Sequence, residues 1–284
     1  MTARLAITGA VLAALASCGG SASGHGTVAT PHPTRAPASA TTATASPSAS
    51  TFRPPSAPAL ETRQPAPPNT PIPGSLAGKD WTYIPTSRHV VALTFDAGAN
   101  DDAVASILAT LKRTHVPATF FLTGNFATQF PASAQRIAAA GYRIGNHTTT
   151  HPRLTQLSAS AVRREILGAA QQITTVTGAN PAPLLRFPYG DADARTIAIA
   201  NQAGYVPVRW TVDTLGWEGT AGHITTSVVV SRVLTALRPG EIVLMHVGSN
   251  PDDHSTLDAS ALPGVISALR GRGYTFVTLD ALVG

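Results

Sequence analysis

The sequence has one cysteine in 284 residues, and only 12% of its residues are charged. A lone cysteine excludes a small scaffold held together by disulfides. The charged fraction is about half the usual share, which excludes a long coiled coil. The longest mainly apolar run, residues 5–16, is too short to cross a bilayer, so a multi-pass membrane protein is excluded as well.

The net charge of +5 and the isoelectric point near 9.9 raise the question of nucleic-acid binding. The first 75 residues carry +3 of this charge, and no cluster of Lys and Arg stands on one face of a predicted helix. The remaining charge is too small and too scattered to attract a phosphate backbone. The chain also has no GxGxxG after its first predicted strand and no GxxxxGK[ST]. Neither nucleic acid nor a nucleotide is therefore an expected partner.

The amino-terminal region has two parts. Residues 15–18, Leu-Ala-Ser-Cys, follow the apolar run and resemble the lipobox of bacterial lipoproteins. We expect residues 1–18 to be a signal peptide and Cys18 to be acylated, which anchors an exported protein at the extracellular face of the cell membrane. A plain secretory signal with an incidental cysteine is the alternative. Residues 19–75, rich in Pro, Ser, Thr and Ala, predict a disordered linker reaching into the cell wall, and residues 76–284 predict the folded domain.

Short β-rich runs alternate with amphipathic patterns after residue 88. Strands are predicted at 90–95, 118–122, 143–145, 184–187, 206–211, 242–245 and 275–278. Helices are predicted at 101–113, 131–140, 159–175, 193–203, 225–237 and 260–272. This order predicts an α/β domain with about seven parallel strands, and it favours a barrel over an open sheet.

The carboxyl ends of the predicted strands carry Asp96, His147, Arg186, Asp213 and His246. Active sites of parallel barrels lie at that end, so these side chains are expected to converge. Asp96 is free for catalysis because the next helix has another acidic residue available as its cap.

His147 and His151 are separated by three threonines. Two neutral imidazoles suit a divalent metal such as zinc, with an oxygen ligand completing the site. A pair of surface histidines is the alternative.

Five segments in this order resemble the motifs of the polysaccharide deacetylases of carbohydrate esterase family four, the NodB-homology domain. They are Thr94–Gly98, His147–Pro152, Arg186–Gly190, Trp210–Trp217 and Leu244–His246, within residues 88–282. The resemblance implies a distorted (β/α) barrel. It also implies a metal-dependent hydrolase that removes N-acetyl groups from a polysaccharide.

The resemblance further implies residue roles. A metal ion, with zinc expected, binds His147 and His151 and polarises a water molecule and the acetyl carbonyl. The implied catalytic residues are the general base Asp96, Arg186 that holds it, Tyr189 whose backbone N–H stabilises the oxyanion, and the general acid His246. Leu244, Trp217 and Pro188 are expected to form the substrate pocket, although Trp217 is equally compatible with a core position.

One departure from the family's pattern concerns the metal. Ala97 stands where typical members have a metal-binding aspartate. We expect Asp101, and after it Asn100, to supply the missing oxygen, since both closely follow the same strand end.

A second departure concerns the catalytic histidine. Gly216 stands where many members have an aspartate that tunes this histidine, and Val247 replaces a typical aspartate after it. Either Asp213 takes over the tuning, or His246 has a lower pKa.

We expect a lipid-anchored enzyme acting on an N-acetylated cell-wall glycan such as peptidoglycan, on the basis of its location and tether. Chitin oligomers, other exopolysaccharides and acetylated xylan remain open. A glycan-binding wall protein with a catalytically weakened fold is the alternative, supported by Ala97 and Gly216. A glycosidase would need two carboxylates, such as Asp96 and Asp213, and would leave the histidines unexplained.

Overall fold

The structure is a computed structural model that describes residues 71–284. The predicted signal peptide, Cys18 and nearly all of the predicted linker lie outside the described residues. No helix within 71–284 is long and apolar enough to cross a membrane.

The described residues form one sheet of short parallel strands. Seven strands follow the order β5-β4-β3-β2-β1-β7-β6, and β8 pairs with the start of β1. The strands are β1 (Val90–Ala97), β2 (Thr119–Leu122), β3 (Arg143–Asn146), β4 (Leu184–Leu185), β5 (Val206–Pro207), β6 (Val212–Asp213), β7 (Glu241–His246) and β8 (Thr275–Phe276). The curled parallel sheet confirms the predicted distorted barrel. The strand predicted at 206–211 is limited to β5, and the short strand β6 that follows it was not predicted.

Helices connect the strands, as βαβ crossovers require. They are α1 (Val104–Thr114), α2 (Gly124–Gln129), α3 (Pro131–Ala139), α4 (Ala159–Thr177), α5 (Ala194–Gln202), α6 (Thr226–Ala236), α7 (Leu257–Arg270) and α8 (Asp280–Val283). Side-chain caps fix several starts: Thr123 accepts from Phe126 N–H, and Asp193 and Thr196 form a reciprocal capping box. α2 and α8 are too short to produce a periodic pattern and were not predicted.

Alternation along β1 places polar side chains inside the barrel. Val91, Leu93 and Phe95 belong to the large apolar cluster that includes residues of α1 and α7. Because successive strand residues face opposite sides, Thr94 and Asp96 point the other way, toward the barrel interior. Both are buried, so each needs a polar partner inside the barrel.

The sheet path begins at β5 and ends at β6, and an extended segment before β1 lies across this gap. Trp81 forms a parallel bridge with Val208, while Tyr83 forms an antiparallel bridge with Glu241. The Glu241 side chain is fully buried there, and neither carboxyl oxygen has a hydrogen-bond partner among the described residues. Burial raises the pKa of Glu241 to about 8.

This raised pKa predicts a loss of stability as pH increases from about 4.5 to about 8. Over that range the unfolded chain releases the Glu241 proton and the folded chain keeps it, which favours unfolding. Glu241→Gln removes this titration, so its stability relative to the wild type should improve by on the order of 2–5 kcal/mol between pH 5 and pH 8. Urea unfolding at both pH values measures the difference.

Asp252→Asn, at an exposed position, is the matched control. Its stability relative to the wild type should be the same at both pH values. If the stability of Glu241→Gln relative to the wild type were also the same at pH 5 and pH 8, the prediction would be contradicted.

Candidate active site

The strand register brings the predicted catalytic residues together. Asp96 of β1 lies directly opposite His246 of β7, and Leu185 of β4 lies opposite Asn146 of β3, so Arg186 and His147 follow at the same edge. These ends surround a cavity of about 560 Å³. Its lining includes Asp96, His147, His151, Tyr189, Asp213, Trp217, Leu244 and His246. Arg186 lies beneath it, and Pro188 is buried and does not line it.

Arg186 is the buried partner that Thr94 and Asp96 require. Its Nη1 donates to Asp96 Oδ1 and to Thr94 Oγ1, each at 2.8 Å. Its Nε and Nη2 donate to the carbonyls of Val208 and Arg209, and its guanidinium lies over the Phe121 ring at 4.2 Å. A fully buried cation paired in this way fixes the Asp96 carboxylate in one orientation.

This environment keeps Asp96 ionised. Burial alone raises the pKa of a carboxyl group, but the positive charge of Arg186 and its hydrogen bond to Asp96 outweigh burial and hold the pKa of Asp96 below its usual range. Asp96 therefore offers a carboxylate to the cavity at neutral pH. A general base needs this form.

The loop from His147 to His151 is shaped by the strand before it and the helix after it. The Asn146 side chain accepts from Thr148 N–H at 2.9 Å and donates to the Ile166 carbonyl of α4 at 2.8 Å. Glu165 of α4 accepts from the N–H groups of residues 149 and 150. Thr148 and His151 have positive φ angles of 67° and 60°, and such strain persists only where surrounding contacts impose it.

Both imidazoles of the loop are held in the neutral form. Burial lowers the pKa of His147. Burial also lowers the pKa of His151, to about 4, and His147 opposes a second positive charge beside it. His147 Nδ1 donates to the Arg186 carbonyl at 2.9 Å, which leaves Nε2 as an acceptor. This Nε2 faces Asp96 Oδ2 at 3.3 Å. Because the acceptor nitrogen of His147 and the carboxylate oxygen of Asp96 face each other, a positive charge between them is favoured.

The protein ligands for a tightly bound metal ion are nevertheless incomplete. No group of three His, Cys, Asp or Glu side chains within 71–284 could hold one, whereas catalytic zinc sites use three protein ligands. Ala97 is fully buried in the apolar cluster and offers no oxygen. The residues present therefore do not fit a tightly held metal ion, although the two histidines could hold one weakly.

Asp101 does not replace the missing ligand. Its carboxylate accepts a hydrogen bond from Ser133 Oγ of α3, and it does not line the cavity. Asn100 does not supply the missing ligand either, because its side-chain oxygen accepts a hydrogen bond from Ser249 N–H at 2.8 Å. The expectation for both residues is corrected: the chain after β1 turns toward α3 and the loop following β7, away from the histidine pair.

His246 has an acidic neighbour that the sequence analysis missed. Burial lowers the pKa of His246. The negative charges of Asp258, Asp96 and Asp213 outweigh burial and raise that pKa above its usual value. The suggestion of a lower pKa is thus corrected. Asp258 Oδ2 lies 3.7 Å from His246 Nδ1, while Asp213 lines the cavity and accepts from Leu215 N–H. Asp258 lies twelve residues after His246, in the next helix, and only the three-dimensional structure shows that the two residues are neighbours.

Two exposed aromatic rings border the cavity. Tyr189 is 57% exposed and Trp217 is 48% exposed. The Tyr189 ring stands edge-on to His151 at 4.6 Å and under the Arg153 guanidinium at 4.5 Å, whereas Trp217 stands edge-on to His246 at 6.3 Å. Exposed aromatic rings beside a polar cavity provide flat apolar surfaces for a ligand.

Comparison with known proteins identifies the family. Residues 83–208 match the sequence pattern of the polysaccharide deacetylases. The chain is 34% identical over 198 residues to a peptidoglycan-N-acetylglucosamine deacetylase of Bacillus cereus, covering 70% of each protein. The chain belongs to the polysaccharide deacetylase family. It is also 34% identical to a chitooligosaccharide deacetylase of Sinorhizobium fredii, covering 68% of this chain and 92% of that protein.

Solved structures of polysaccharide deacetylases share the fold. A peptidoglycan N-acetylglucosamine deacetylase bound to a hydroxamate-type benzamide has a TM-score of 0.65 and 33% identity, covering 71% of this chain and 91% of that one. A pseudoenzyme of carbohydrate esterase family four from Bacillus anthracis has a TM-score of 0.63 and 28% identity, covering 69% and 66%. The family fold is thus found in both an enzyme and a pseudoenzyme.

The missing ligand of this polysaccharide deacetylase yields a prediction. In Ala97→Asp, a carboxylate replaces a side chain buried among apolar groups, which costs stability unless a cation pairs with it. Zn²⁺ should therefore raise the melting temperature of Ala97→Asp more than that of the wild type, because a ligand that binds only the folded state stabilises it. A thermal melt with and without Zn²⁺ measures the effect.

Ala97→Asn is the matched control, since it has nearly the same shape without the charge. Its melting temperature should respond to Zn²⁺ no more than that of the wild type. The same small response in Ala97→Asp would show that the new side chain does not reach the histidine pair.

Proposed function

We propose that this protein hydrolyses N-acetyl groups on an extracellular polysaccharide. The observation that carries the proposal is the joint placement of an ionised, Arg186-held Asp96 and an acid-paired His246 at opposed positions in one cavity. A base and an acid with oppositely displaced pKa values are what amide hydrolysis requires.

The residues divide the reaction between them. Asp96 removes a proton from water, whose oxygen forms a bond to the acetyl carbonyl carbon. The backbone N–H of Tyr189 is the proposed donor to the resulting oxyanion. His246 gives a proton to the amide nitrogen as the C–N bond breaks, because an unprotonated amine is a poor leaving group. The products are acetate and a glucosamine-type amine.

Deacetylases of this family are generally dependent on a divalent metal ion. His147 and His151 are neutral and available as nitrogen ligands, but the third family ligand is absent at Ala97. We propose that any such ion, zinc included, is held weakly and is lost on purification.

A cell-wall glycan is the proposed substrate. Tyr189 and Trp217 border the cavity, and flat aromatic rings are suited to the apolar faces of sugars. Relatives named as peptidoglycan and chitooligosaccharide deacetylases support a polymer of N-acetylglucosamine. Peptidoglycan is preferred because the predicted export and tether place the domain within the wall.

A glycan-binding protein without efficient chemistry is the second candidate. The specific observation in its favour is the incomplete ligand set around His147 and His151. In that case the domain binds the polymer through the cavity rim and releases no acetate.

Acetate release from N-acetylglucosamine oligomers and peptidoglycan tests the two candidates. We expect turnover with added Zn²⁺, less turnover after chelation, and a loss of at least about a hundredfold in kcat for Asp96→Asn, which has no basic carboxylate. Asp280→Asn, at a surface ion pair with Arg143 outside the cavity, should retain wild-type turnover. Binding of the oligomers without any acetate would instead support the second candidate.

We also propose that the protein is exported and anchored to the membrane through a lipid on Cys18. The supporting observation is the lipobox-like sequence at residues 15–18. In a bacterium that processes lipoproteins, the wild type should incorporate a labelled fatty acid and fractionate with the membrane. Cys18→Ala should not, and Ser17→Ala should behave as the wild type. Equal labelling of Cys18→Ala would contradict the proposal.

A further inference from the structure

We propose that Asp258 is the positioning residue of the catalytic histidine, and that its carboxylate occupies the space beside Gly216. This inference deepens the proposed deacetylase function and rests on it. It assigns the orientation of His246 to a carboxylate from helix α7, not to one from the segment before Trp217.

Asp258 joins three elements at the edge of the cavity. It is 3% exposed, in the first turn of α7. Its Oδ2 accepts from the backbone N–H of His246 at 2.8 Å, and its Oδ1 accepts from the Thr214 hydroxyl at 2.6 Å. The carboxylate is thereby fixed against the end of β7 and the chain after β6, and it cannot rotate away from the histidine.

The imidazole of His246 has this carboxylate as its nearest acidic neighbour. Its Nδ1 is buried and has no hydrogen-bond partner among residues 71–284, while Asp258 Oδ2 stands 3.7 Å away. A buried N–H that faces a fixed carboxylate is attracted to it and retains its proton on that nitrogen. The proton that His246 transfers then resides on Nε2, the other ring nitrogen. Holding a catalytic imidazole in one tautomer is the main service of a buried carboxylate partner.

The glycine at position 216 is explained by the same carboxylate. A Cβ at Gly216 would lie 2.2 Å from Asp258 Oδ1 and 2.4 Å from its Cγ. Gly216 does not have a positive φ angle, so its backbone conformation is open to other residues. Glycine is required here because a side chain would collide with Asp258, and not because of the backbone conformation. Residue 216 can carry a side chain only when residue 258 gives up its carboxylate.

A side chain at residue 216 and the carboxylate of Asp258 cannot occupy the same space. Moving the carboxylate from residue 258 to residue 216 is therefore the decisive experiment. Asp258→Asn keeps the shape and the acceptor oxygen but removes the charge. Asp258→Ala empties the space, and Gly216→Asp alone overfills it. The double variant Gly216→Asp/Asp258→Ala returns one carboxylate to the same space from a different part of the chain.

Acetate release and ring nitrogen NMR are measured on the purified protein and these variants, with Zn²⁺ present. We expect kcat to fall at least about tenfold in Asp258→Asn with little change in KM, since the charge acts on proton transfer and not on glycan binding. We expect Gly216→Asp to lose activity as well. The double variant should recover at least about tenfold in kcat over Asp258→Ala.

The nitrogen signals of the His246 ring, assigned by their absence in His246→Gln, give a readout that does not depend on turnover. They should move in Asp258→Asn as the ring changes its tautomer. Unchanged ring signals in Asp258→Asn would overturn the inference, and so would a folded double variant no more active than Asp258→Ala. If the wild type releases no acetate, the proposed function fails, and the ring signals alone decide the role of Asp258.

Discussion

The buried pair of Arg186 and Asp96 is the interaction on which the site depends. A guanidinium with no solvent exposure needs hydrogen-bond acceptors for its nitrogens, and each of the three nitrogens of Arg186 has at least one where the ends of β1, β4 and β5 meet. The charge that Arg186 brings inside the barrel also keeps Asp96 ionised. Removing either partner leaves an uncompensated buried charge, which costs several kcal/mol. The fold and the chemistry are therefore stabilised by the same contact.

The parallel arrangement and the position of the site could be predicted from the sequence. Alternation of β-rich and amphipathic runs defines βαβ units, and parallel strands bring their carboxyl ends to one edge. Asp96, His147, Arg186 and His246 were found from their positions after such runs and from the motif resemblance. Some short elements were missed, because a two-residue strand such as β6 and a six-residue helix such as α2 have no measurable period.

The contacts that tune the site could not be predicted in the same way. Asp258 was not recognised because nothing local marks an acidic residue in a first helical turn as more than a favourable charge near the helix dipole. Asp101 was given a ligand role because it closely follows the strand end that carries Asp96 and Ala97, but a turn of a few residues directs it to Ser133. The distance between two residues in the sequence is a poor guide to where their side chains lie, since a loop of five residues can reverse the direction of the chain completely.

The two departures from the family pattern have opposite structural consequences. At Gly216 the space of the missing carboxylate is filled by that of Asp258, so His246, the proposed proton donor, still has an acidic neighbour. At Ala97 the alanine packs in the apolar cluster, and within residues 71–284 no other acidic side chain completes a three-ligand group with the histidine pair. An aspartate there would need a bound cation to compensate its burial, whereas alanine stabilises the strand end without one. The proposed acid–base pair and the proposed cation site are thus structurally separable: the residues of the first are brought together and held by buried partners, whereas the second lacks a ligand at Ala97.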